Sequence, residues 1–190
     1  MLRETGSYDF IDFTDINDAD AKLIWMWRNN DSVRKWMYNS DLIPWESHLN
    51  FLDKLPSDKT KSFYLVRRRG KPIGVYSLVN IQNKSGEGGF YLAPELQESG
   101  LSVEFCYFTF DFLFNSTDVE KICGYALVEN QNANSLNRLF GFSQAEVSKN
   151  IDGEERLFYY GELTKECWTE KVKKASKILR LVEFTLKNVN

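Results

Sequence analysis

The chain has 190 residues, of which 43% are hydrophobic and 27% charged, and its formal net charge is −3. This length suits one domain with a full core, and the composition is that of a water-soluble globular protein. The weakly acidic charge argues against nucleic acid as a main partner. No apolar run approaches the ~20 residues that span a bilayer, and the N-terminus lacks a hydrophobic leader. We therefore expect no membrane partner and a cytoplasmic location.

The sequence lacks the motifs that characterise several classes of enzyme and metal-binding protein. Cys106, Cys123 and Cys167 are widely spaced, which predicts reduced thiols rather than a disulfide framework or a zinc site. His48 is the single histidine, and no G-x-S-x-G motif accompanies it as a serine hydrolase would require. P-loop and H-E-x-x-H motifs are also absent. Hydrolase, nucleotidase and metalloprotease chemistry is not supported, and no metal is expected.

The periodicity of apolar residues predicts an alternation of strands and helices. Strands are predicted at residues 7–13, 61–69, 72–82, 90–92, 121–128, 143–150 and 155–163, with a glycine-rich turn at 83–89. Helices are predicted at residues 17–28, 32–37, 44–56 and 132–139, and after Gly100. This order predicts an α+β domain on a mostly antiparallel sheet.

Two segments carry their own predictions. Arg67, Arg68 and Arg69 fall at a predicted hairpin tip, which indicates a solvated basic tip. Residues 166–190 follow the predicted domain, residues 1–165, as a helical extension. Its apolar stripe at helical spacing consists of Trp168, Val172, Ala175, Leu179 and Val182. That stripe can dock on the domain, which we favour, or on a second subunit in a homodimer.

The stretch from Gln97 to Ser102 is the first candidate binding element. It is a small polar turn between a short strand and a long apolar helix. A helix that begins there presents unpaired backbone donors and the positive end of its dipole, which suits a phosphate or pyrophosphate. Gly100 allows close approach of a ligand to the backbone. An ordinary capped helix after a turn is the alternative interpretation.

Two sequence blocks resemble the acyl-CoA-dependent N-acetyltransferases of the GNAT superfamily. The first block reads Gln97-x-x-Gly100-x-Ser102, with Ser where the family usually has Gly or Ala. The second block lies one strand later and matches at Asn130, Ser135, Leu136, Gly141 and Phe142. The resemblance implies the GNAT fold, a mixed and mostly antiparallel sheet flanked by helices, and acetyl-CoA as the cofactor. Ser102 and the negative charge of Glu98 depart from the usual phosphate loop.

The resemblance also implies roles for individual residues. Splayed strands would hold acetyl-CoA, with pantetheine along Phe90–Leu92 and a backbone N–H near Leu92 facing the oxyanion. The pyrophosphate would lie on the turn made by Gln97, Ser99, Gly100, Leu101 and Ser102. Asn130 would hold the amide arm of the cofactor.

The proton-transfer residues are less clearly indicated. Asn137 occupies the position at which many relatives have a tyrosine that protonates the leaving thiolate, and Asn cannot do this. Asn137 can still donate a hydrogen bond to the sulfur, or Tyr125 can donate from a neighbouring strand. His48 or Glu129 can take the proton of the attacking amine.

The N-terminal third narrows the resemblance. Ile11–Thr14, Arg28-Asn29, Trp36–Tyr38 and His48–Phe51 resemble the UDP-4-amino-sugar N-acetyltransferases of pseudaminic acid biosynthesis, which serve flagellin glycosylation. The resemblance implies a nucleotide-linked amino sugar as substrate and a pocket lined by Arg28, Tyr38, His48, Phe51 and Tyr91. The alternative to a role in the pocket is that Trp36, Tyr38 and Phe51 are aromatic residues of the hydrophobic core. A Rim-type acetyltransferase of protein N-termini and a non-catalytic acyl-CoA-binding module are the alternative functions.

Overall fold

The computed structural model describes residues 8–151 and 153–189. The strands are β1 (Tyr8–Asp12), β2 (Ser62–Arg68), β3 (Lys71–Gln82), β4 (Ser85–Leu92), β5 (Lys121–Leu127), β6 (Ala145–Ile151) and β7 (Glu154–Thr164). The helices are α1 (Asp18–Asn29), α2 (Asp31–Arg34), α3 (Trp45–Lys54), α4 (Ser102–Ser116), α5 (Gln131–Leu139), α6 (Lys165–Cys167) and α7 (Ser176–Asn188). None of the helices in these two ranges combines the length and apolar character needed to cross a bilayer.

The strands hydrogen-bond in the order β1-β2-β3-β4-β5-β7-β6. β4 and β5 run parallel, whereas the pairs β1–β2, β2–β3, β5–β7 and β6–β7 run antiparallel. The mixed, mostly antiparallel sheet with flanking helices confirms the predicted α+β class. Two compact units divide the chain, the first comprising described residues up to Ile81 with Gly89–Glu98, the second Gln82–Gly88 with residues from Ser99 onward.

The first unit forms its core between α1, α3 and the strands β2 and β3. Asn17 caps α1 by accepting the Asp20 N–H at 2.9 Å, which satisfies a donor that the helix itself leaves unpaired. The buried face of α1 then places Ile24 and Trp27 in the core, each at most 5% exposed. Their partners across the cluster are Phe13, Leu55, Leu65, Val75 and Ala93. The predicted helical spacing of α1 is confirmed by this packing.

The basic run at residues 67–69 is not the solvated tip that the sequence predicted. Arg67 donates through Nη2 to both carboxylate oxygens of Asp20 at 2.8 Å, and Arg68 is only 5% exposed. Arg69 alone occupies the tip, with a positive φ of 51°. The prediction failed because Asp20 lies 47 residues earlier in the chain and no local pattern announces the pairing.

Strand β4 begins five residues earlier than predicted. Asn83 and Lys84 form the two-residue β3–β4 turn, and both have positive φ, 48° and 59°, which is the geometry of a type I′ hairpin. The glycine-rich residues after the turn, predicted as loop, are extended instead. Ser85, Gly86 and Glu87 pair in register with Lys121, Ile122 and Cys123 of β5, so a partner strand stabilises the glycine backbone that alone favours turns.

The second unit is built on the apolar helix α4 and includes the C-terminal extension. Trp168 is fully buried and lies 5.3 Å from Tyr107 and 6.0 Å from Phe110, both on α4, measured between ring centroids. α7 packs against α4 through Ile178 and Val182, which are at most 2% exposed. The extension is therefore docked on this unit, as favoured from the sequence. The domain boundary at residue 165 stays a prediction.

The apolar stripe of the extension changes phase in the middle. α6 continues into a π-helical turn at Trp168–Val172, and Ala175 then adopts an extended conformation before α7 begins. This break ends the single helical period that the sequence suggested. Trp168, Val172 and Val182 are buried as predicted, but Ile178 and Thr185, rather than Ala175 and Leu179, complete the buried face.

Candidate functional site

Arg28 lies at the centre of a polar constellation in the first unit. Its Nη2 donates to the carbonyl oxygen of Asn39 at 2.8 Å, whereas Nη1 is buried and has no hydrogen-bond partner among the described residues. Burial lowers the pKa of Arg28, and the electrostatic interaction with Tyr91 opposes that shift. Since a guanidinium stays protonated in proteins, Arg28 is a half-buried positive charge whose buried Nη1 is an unused donor.

The segment that carries Tyr38 is held onto α1 and α2 by side chains. Besides the Arg28 bond to Asn39, Arg34 Nη1 donates to the Ser40 carbonyl at 2.7 Å. The Asn29 side chain accepts from the Ile43 N–H at 2.7 Å and donates to the Ile43 carbonyl at 3.0 Å. These bonds fix an irregular segment that has no ladder partners, and they place Tyr38 next to the residue bound by Arg28.

The aromatic residues of the predicted pocket divide into two groups. Phe51 packs edge-on against Phe63 at 5.1 Å between ring centroids, and both Phe51 and Tyr91 lie against the core cluster. Trp36 and Tyr38, by contrast, are 39% and 40% exposed. The core interpretation is therefore correct for Phe51 and wrong for Trp36 and Tyr38. Burial raises the pKa of Tyr91, and Arg28 opposes the shift, so the Tyr91 phenol is a hydrogen-bond donor at neutral pH.

His48 is buried between α3 and α1. Its Nε2 lies 3.0 Å from the carbonyl oxygen of Ala21, so this nitrogen carries the proton, and the ring centroid is 5.6 Å from that of Trp45. Burial lowers the pKa of His48, which keeps the imidazole neutral at pH 7. With Nε2 engaged, only Nδ1 offers a lone pair, and a role of His48 as base or pocket residue stays a prediction.

The turn before α4 has the local geometry expected of an anion site. Gly100 has φ +79°, and a Cβ placed there would meet no atom within 4 Å. The Ser99 hydroxyl accepts the Leu101 N–H at 3.3 Å, which folds the turn back on itself. Leu101 is the N-cap residue of α4 and makes no side-chain cap bond. The first turn of α4 thus lacks the usual side-chain acceptor at its N-cap, and Ser102 is its first residue.

Strand β4 ends with alternating backbone donors at Phe90–Leu92. The Ala93 N–H donates to the Ile73 carbonyl of β3 at 2.9 Å. Successive N–H groups of an extended strand point to opposite edges, so the Leu92 N–H points to the edge away from β3. Gln97, after the 3-10 turn Pro94–Leu96, is half-buried. The assignment of Phe90, Leu92 and Gln97 to cofactor binding stays a prediction.

Helix α5 and the two residues before it include three more of the predicted site residues. Asn130 caps the helix because its side-chain oxygen accepts the Ala133 N–H at 3.1 Å. Its amide nitrogen takes no part in this cap bond. Asn137 lies on the same helix and is half-buried, and Glu129, just before the cap, is exposed. The cap role of Asn130 was not foreseen, and it engages the side-chain oxygen, whereas the predicted cofactor contact can use the amide nitrogen.

Substitution of Asn130 separates these two roles. Asn130→Ala is expected to lower the free energy of unfolding by about 1 kcal/mol, because a cap is lost. Asn130→Asp keeps the cap oxygen and is expected to retain stability, but it removes the amide donor and so should weaken acetyl-CoA binding. Thermal unfolding and titration calorimetry on both variants measure this. Equal cofactor affinity for wild type and Asn130→Asp would leave Asn130 with the cap alone.

A polar face on β5, β6 and β7 was largely missed from the sequence. Lys121 Nζ lies 2.9 Å from Glu162 Oε1, and the Tyr160 hydroxyl donates to the same oxygen. Tyr125 is 4.9 Å from Tyr160 between ring centroids, and Lys149 Nζ lies 3.1 Å from the centroid of the Tyr125 ring. The second unit therefore places a cation–π pair and a charged carboxylate beside the predicted donor Tyr125.

The ionisation of this face follows from its contacts. Burial raises the pKa of Tyr125, and the bond to Glu162 raises that of Tyr160. Hydrogen bonds from Tyr160 and Lys121 lower the pKa of Glu162. At neutral pH the face thus offers two protonated phenols beside an ionised carboxylate. Alternation along β5, where Lys121, Cys123 and Tyr125 interleave with Ile122 and Ala126, could have indicated it, but the register Tyr125↔Tyr160 could not be read locally.

A family model described as an acetyltransferase (GNAT) domain matches residues 11–143 of the chain. Two proteins named acetyltransferase PseH, both from Campylobacter jejuni subsp. jejuni, are similar in sequence. One is 31% identical over 148 residues, covering 78% of this chain and 88% of that protein. The other is 32% identical over 150 residues with the same coverage.

Solved structures show similarity over most of the chain. The crystal structure of Campylobacter jejuni N-acetyltransferase PseH in complex with acetyl coenzyme A aligns with a TM-score of 0.64 at 29% identity. That alignment covers 83% of this chain and 98% of the other. Spermidine N-acetyltransferase from Vibrio cholerae in complex with CoA and spermine aligns with a TM-score of 0.77, covering 87% of this chain and 99% of the other. At 19% identity, the latter shows the fold alone. These matches confirm the predicted GNAT fold.

Proposed function

We propose that this chain, which belongs to the GNAT acetyltransferase family, transfers acetyl from acetyl-CoA to the 4-amino group of a UDP-linked 4-amino-4,6-dideoxy sugar. The reaction would belong to pseudaminic acid biosynthesis for flagellin glycosylation and take place in the cytoplasm. The similarity to proteins named PseH and the resemblance of the N-terminal third to amino-sugar N-acetyltransferases support the acceptor.

The observation that carries the acceptor assignment is the unsatisfied donor of Arg28. A buried guanidinium N–H without a partner is costly, so its Nη1 is best explained by a ligand oxygen that completes the site. A diphosphate suits it, because the planar fork of arginine matches phosphate oxygens. Tyr91 beside Arg28 adds a phenolic donor, and the exposed ring of Tyr38 offers a face on which a sugar or a base can pack.

The residues at the start of α4 fit acetyl-CoA. The open space over Gly100 leaves room for the pyrophosphate. Leu101, the N-cap residue of α4, makes no side-chain cap bond, so the backbone donors and the positive end of the helix dipole can interact with the phosphates. When bound, the cofactor supplies an acetyl thioester. The Leu92 N–H, directed away from β3, is suited to donate to the oxyanion of acyl transfer. Glu98 is exposed, so solvent screens the negative charge that departs from the usual loop.

Proton transfer in this proposal depends on groups that the fold keeps in the right ionisation state. Tyr125 stays protonated and can donate to the leaving sulfur, supported by Lys149 on its ring and Tyr160 at its side. The amine must lose a proton, and Glu129 or the free Nδ1 of His48 can accept it, directly or through water. The thiolate leaves readily even without a donor, because its conjugate acid has a pKa of about 8.5.

Asn137→Ala is expected to reduce kcat by less than about tenfold. Removal of a true general acid costs roughly 10²–10⁴-fold, but Asn137 has no proton to give. Tyr125→Phe is expected to cost more, at every pH below the raised pKa of the Tyr125 phenol, because the donor is protonated throughout that range. Profiles of kcat against pH for wild type, Asn137→Ala, Tyr125→Phe and His48→Ala check this. Abolished turnover in Asn137→Ala alone, with wild-type rates in the other two variants, would contradict the assignment.

The proposed function is tested by following CoA thiol release with a panel of acceptors. UDP-linked 4-amino sugars, peptides with free N-termini and polyamines are offered at matched concentration, each with acetyl-CoA. Turnover confined to the UDP-amino sugars is expected. Turnover of peptides alone would establish the Rim-type alternative. Binding of acetyl-CoA without turnover of any acceptor, in folded protein, would favour the non-catalytic module.

A further inference from the structure

Helix α7 has an outer face that nothing in the proposed reaction uses. Its inner face packs against α4, with Ile178 2%, Val182 0% and Thr185 5% exposed. Leu181, at the margin of this buried face, is 38% exposed, and Phe184, further round the helix toward solvent, is 64% exposed. Apolar side chains of this size are normally the first to be buried. The apolar surface of the helix therefore extends from its buried face to the solvent side.

Basic side chains surround these two apolar residues. At 100° per residue, Lys177, Arg180 and Lys187 fall on the same half of the helix as Leu181 and Phe184. We call these five residues the α7 outer face. All three basic side chains are exposed. Within the part of the chain that the structure describes, none of the three takes part in an ion pair, whereas the nearby Lys173 and Lys174 pair with Asp111 and Glu170.

The charge of the extension is opposite to that of the rest of the chain. Residues 166–190 contain six basic and three acidic side chains, whereas the other 165 residues contain 18 basic and 24 acidic ones. The extension also lies beyond the region matched by the family model, which ends at residue 143. The positive charge of α7 can therefore attract an anionic surface even though the rest of the protein is acidic. Salt screens the negative charges elsewhere on the protein within about 8–10 Å, so they do not cancel this attraction.

We propose that the α7 outer face binds the anionic surface of a lipid bilayer, holding the enzyme peripherally to a membrane. An exposed Phe and Leu with Lys and Arg on either side are the pattern of a helix that lies in the headgroup region. Phe184 and Leu181 enter the acyl boundary, and the long stems of the basic residues let their charges reach the lipid phosphates. This differs from the expectation drawn from the sequence, which considered only bilayer-spanning segments.

Charge favours this occupant over a second copy of the chain. A two-fold contact through the α7 outer face would set Lys177, Arg180 and Lys187 against the same residues of the other copy. Like charges at close range oppose such a contact, whereas an anionic bilayer neutralises all three at once. The proposal is independent of the acceptor sugar and holds for any reaction of the enzyme.

Co-sedimentation of the full chain with vesicles tests the proposal. Vesicles of phosphatidylcholine with roughly a third phosphatidylglycerol are compared with pure phosphatidylcholine at low and physiological salt. Binding to the anionic vesicles only, weakened by salt, is expected. The triple variant Lys177→Glu/Arg180→Glu/Lys187→Glu is expected to bind at least ~100-fold more weakly, and Phe184→Ala roughly tenfold more weakly.

A matched triple variant carries the same change in net charge elsewhere. Lys54→Glu/Lys59→Glu/Lys71→Glu reverses three exposed lysines of the first unit and is expected to bind vesicles like wild type. Circular dichroism and thermal unfolding verify that each variant is folded, since none alters the buried face of α7. Equal loss in both triple variants, equal binding to both kinds of vesicle, or no binding even at low salt would overturn the proposal. So would self-association that depends on the α7 outer face without vesicle binding.

Discussion

Gly100→Asp is expected to weaken acetyl-CoA binding by roughly 100-fold. The variant places a carboxylate in the open space above the turn, where the pyrophosphate is proposed to lie. Two unit charges about 5 Å apart near a protein surface repel by about 3 kcal/mol, which corresponds to a change of that size in affinity. Titration calorimetry with acetyl-CoA measures it directly.

Gly100→Asn is the matched control for this variant. Asn has nearly the same shape as Asp and, like Asp, tolerates the left-handed backbone that φ +79° requires. Both variants therefore carry the same strain, and the difference between them isolates the charge. Gly100→Asn is expected to lose less than about tenfold. Affinity of folded Gly100→Asp equal to that of wild type, or an equal loss in both variants, would place the pyrophosphate elsewhere.

Arg28→Ala is expected to reduce kcat/KM for the nucleotide sugar by on the order of 100-fold, mainly through KM. Hydrogen bonds to a charged group contribute about 1.5–3 kcal/mol each, and the proposed contact uses at least the free Nη1 of Arg28. Acetyl-CoA affinity is expected to stay unchanged, because the turn before α4 is left intact. Steady-state kinetics with varied acceptor, together with calorimetry on the cofactor, checks both statements.

Arg28 also donates a hydrogen bond to the Asn39 carbonyl, so Arg28→Ala can loosen the segment that carries Tyr38. A control variant must distinguish this effect from loss of the contact with the ligand. Arg34→Ala removes a comparable bond, to the carbonyl of Ser40, from a residue outside the predicted pocket. A similar rise in acceptor KM in Arg34→Ala would show that the segment, and not the guanidinium, matters. Arg28→Lys is expected to recover only part of the affinity, since an ammonium lacks the bidentate fork.

Local features of the chain were readable without the structure. Helical periods over Leu23, Ile24 and Trp27 fixed α1, and the apolar run after Gly100 fixed α4, because these patterns repeat within one element. The two family blocks around Gly100 and Asn130 likewise depend on short spacings. The family resemblance proposed Arg28 and Tyr91 as pocket residues, which stays a prediction, and the unpartnered Nη1 of Arg28 became visible only with its surroundings.

The sequence by itself determined the α+β class and the order of helices and strands. It also indicated membership of the GNAT superfamily through two short sequence blocks. Only the tertiary structure decided features that depend on distant partners. Gly86 is in a strand because Ile122 pairs with it, Arg67 is fixed by Asp20, and Lys149 covers Tyr125. The same holds for the buried phase of α7, which packing on α4 selects. Periodicity and caps are set by neighbours within a few residues, whereas pairing and burial are set by groups that only folding brings together.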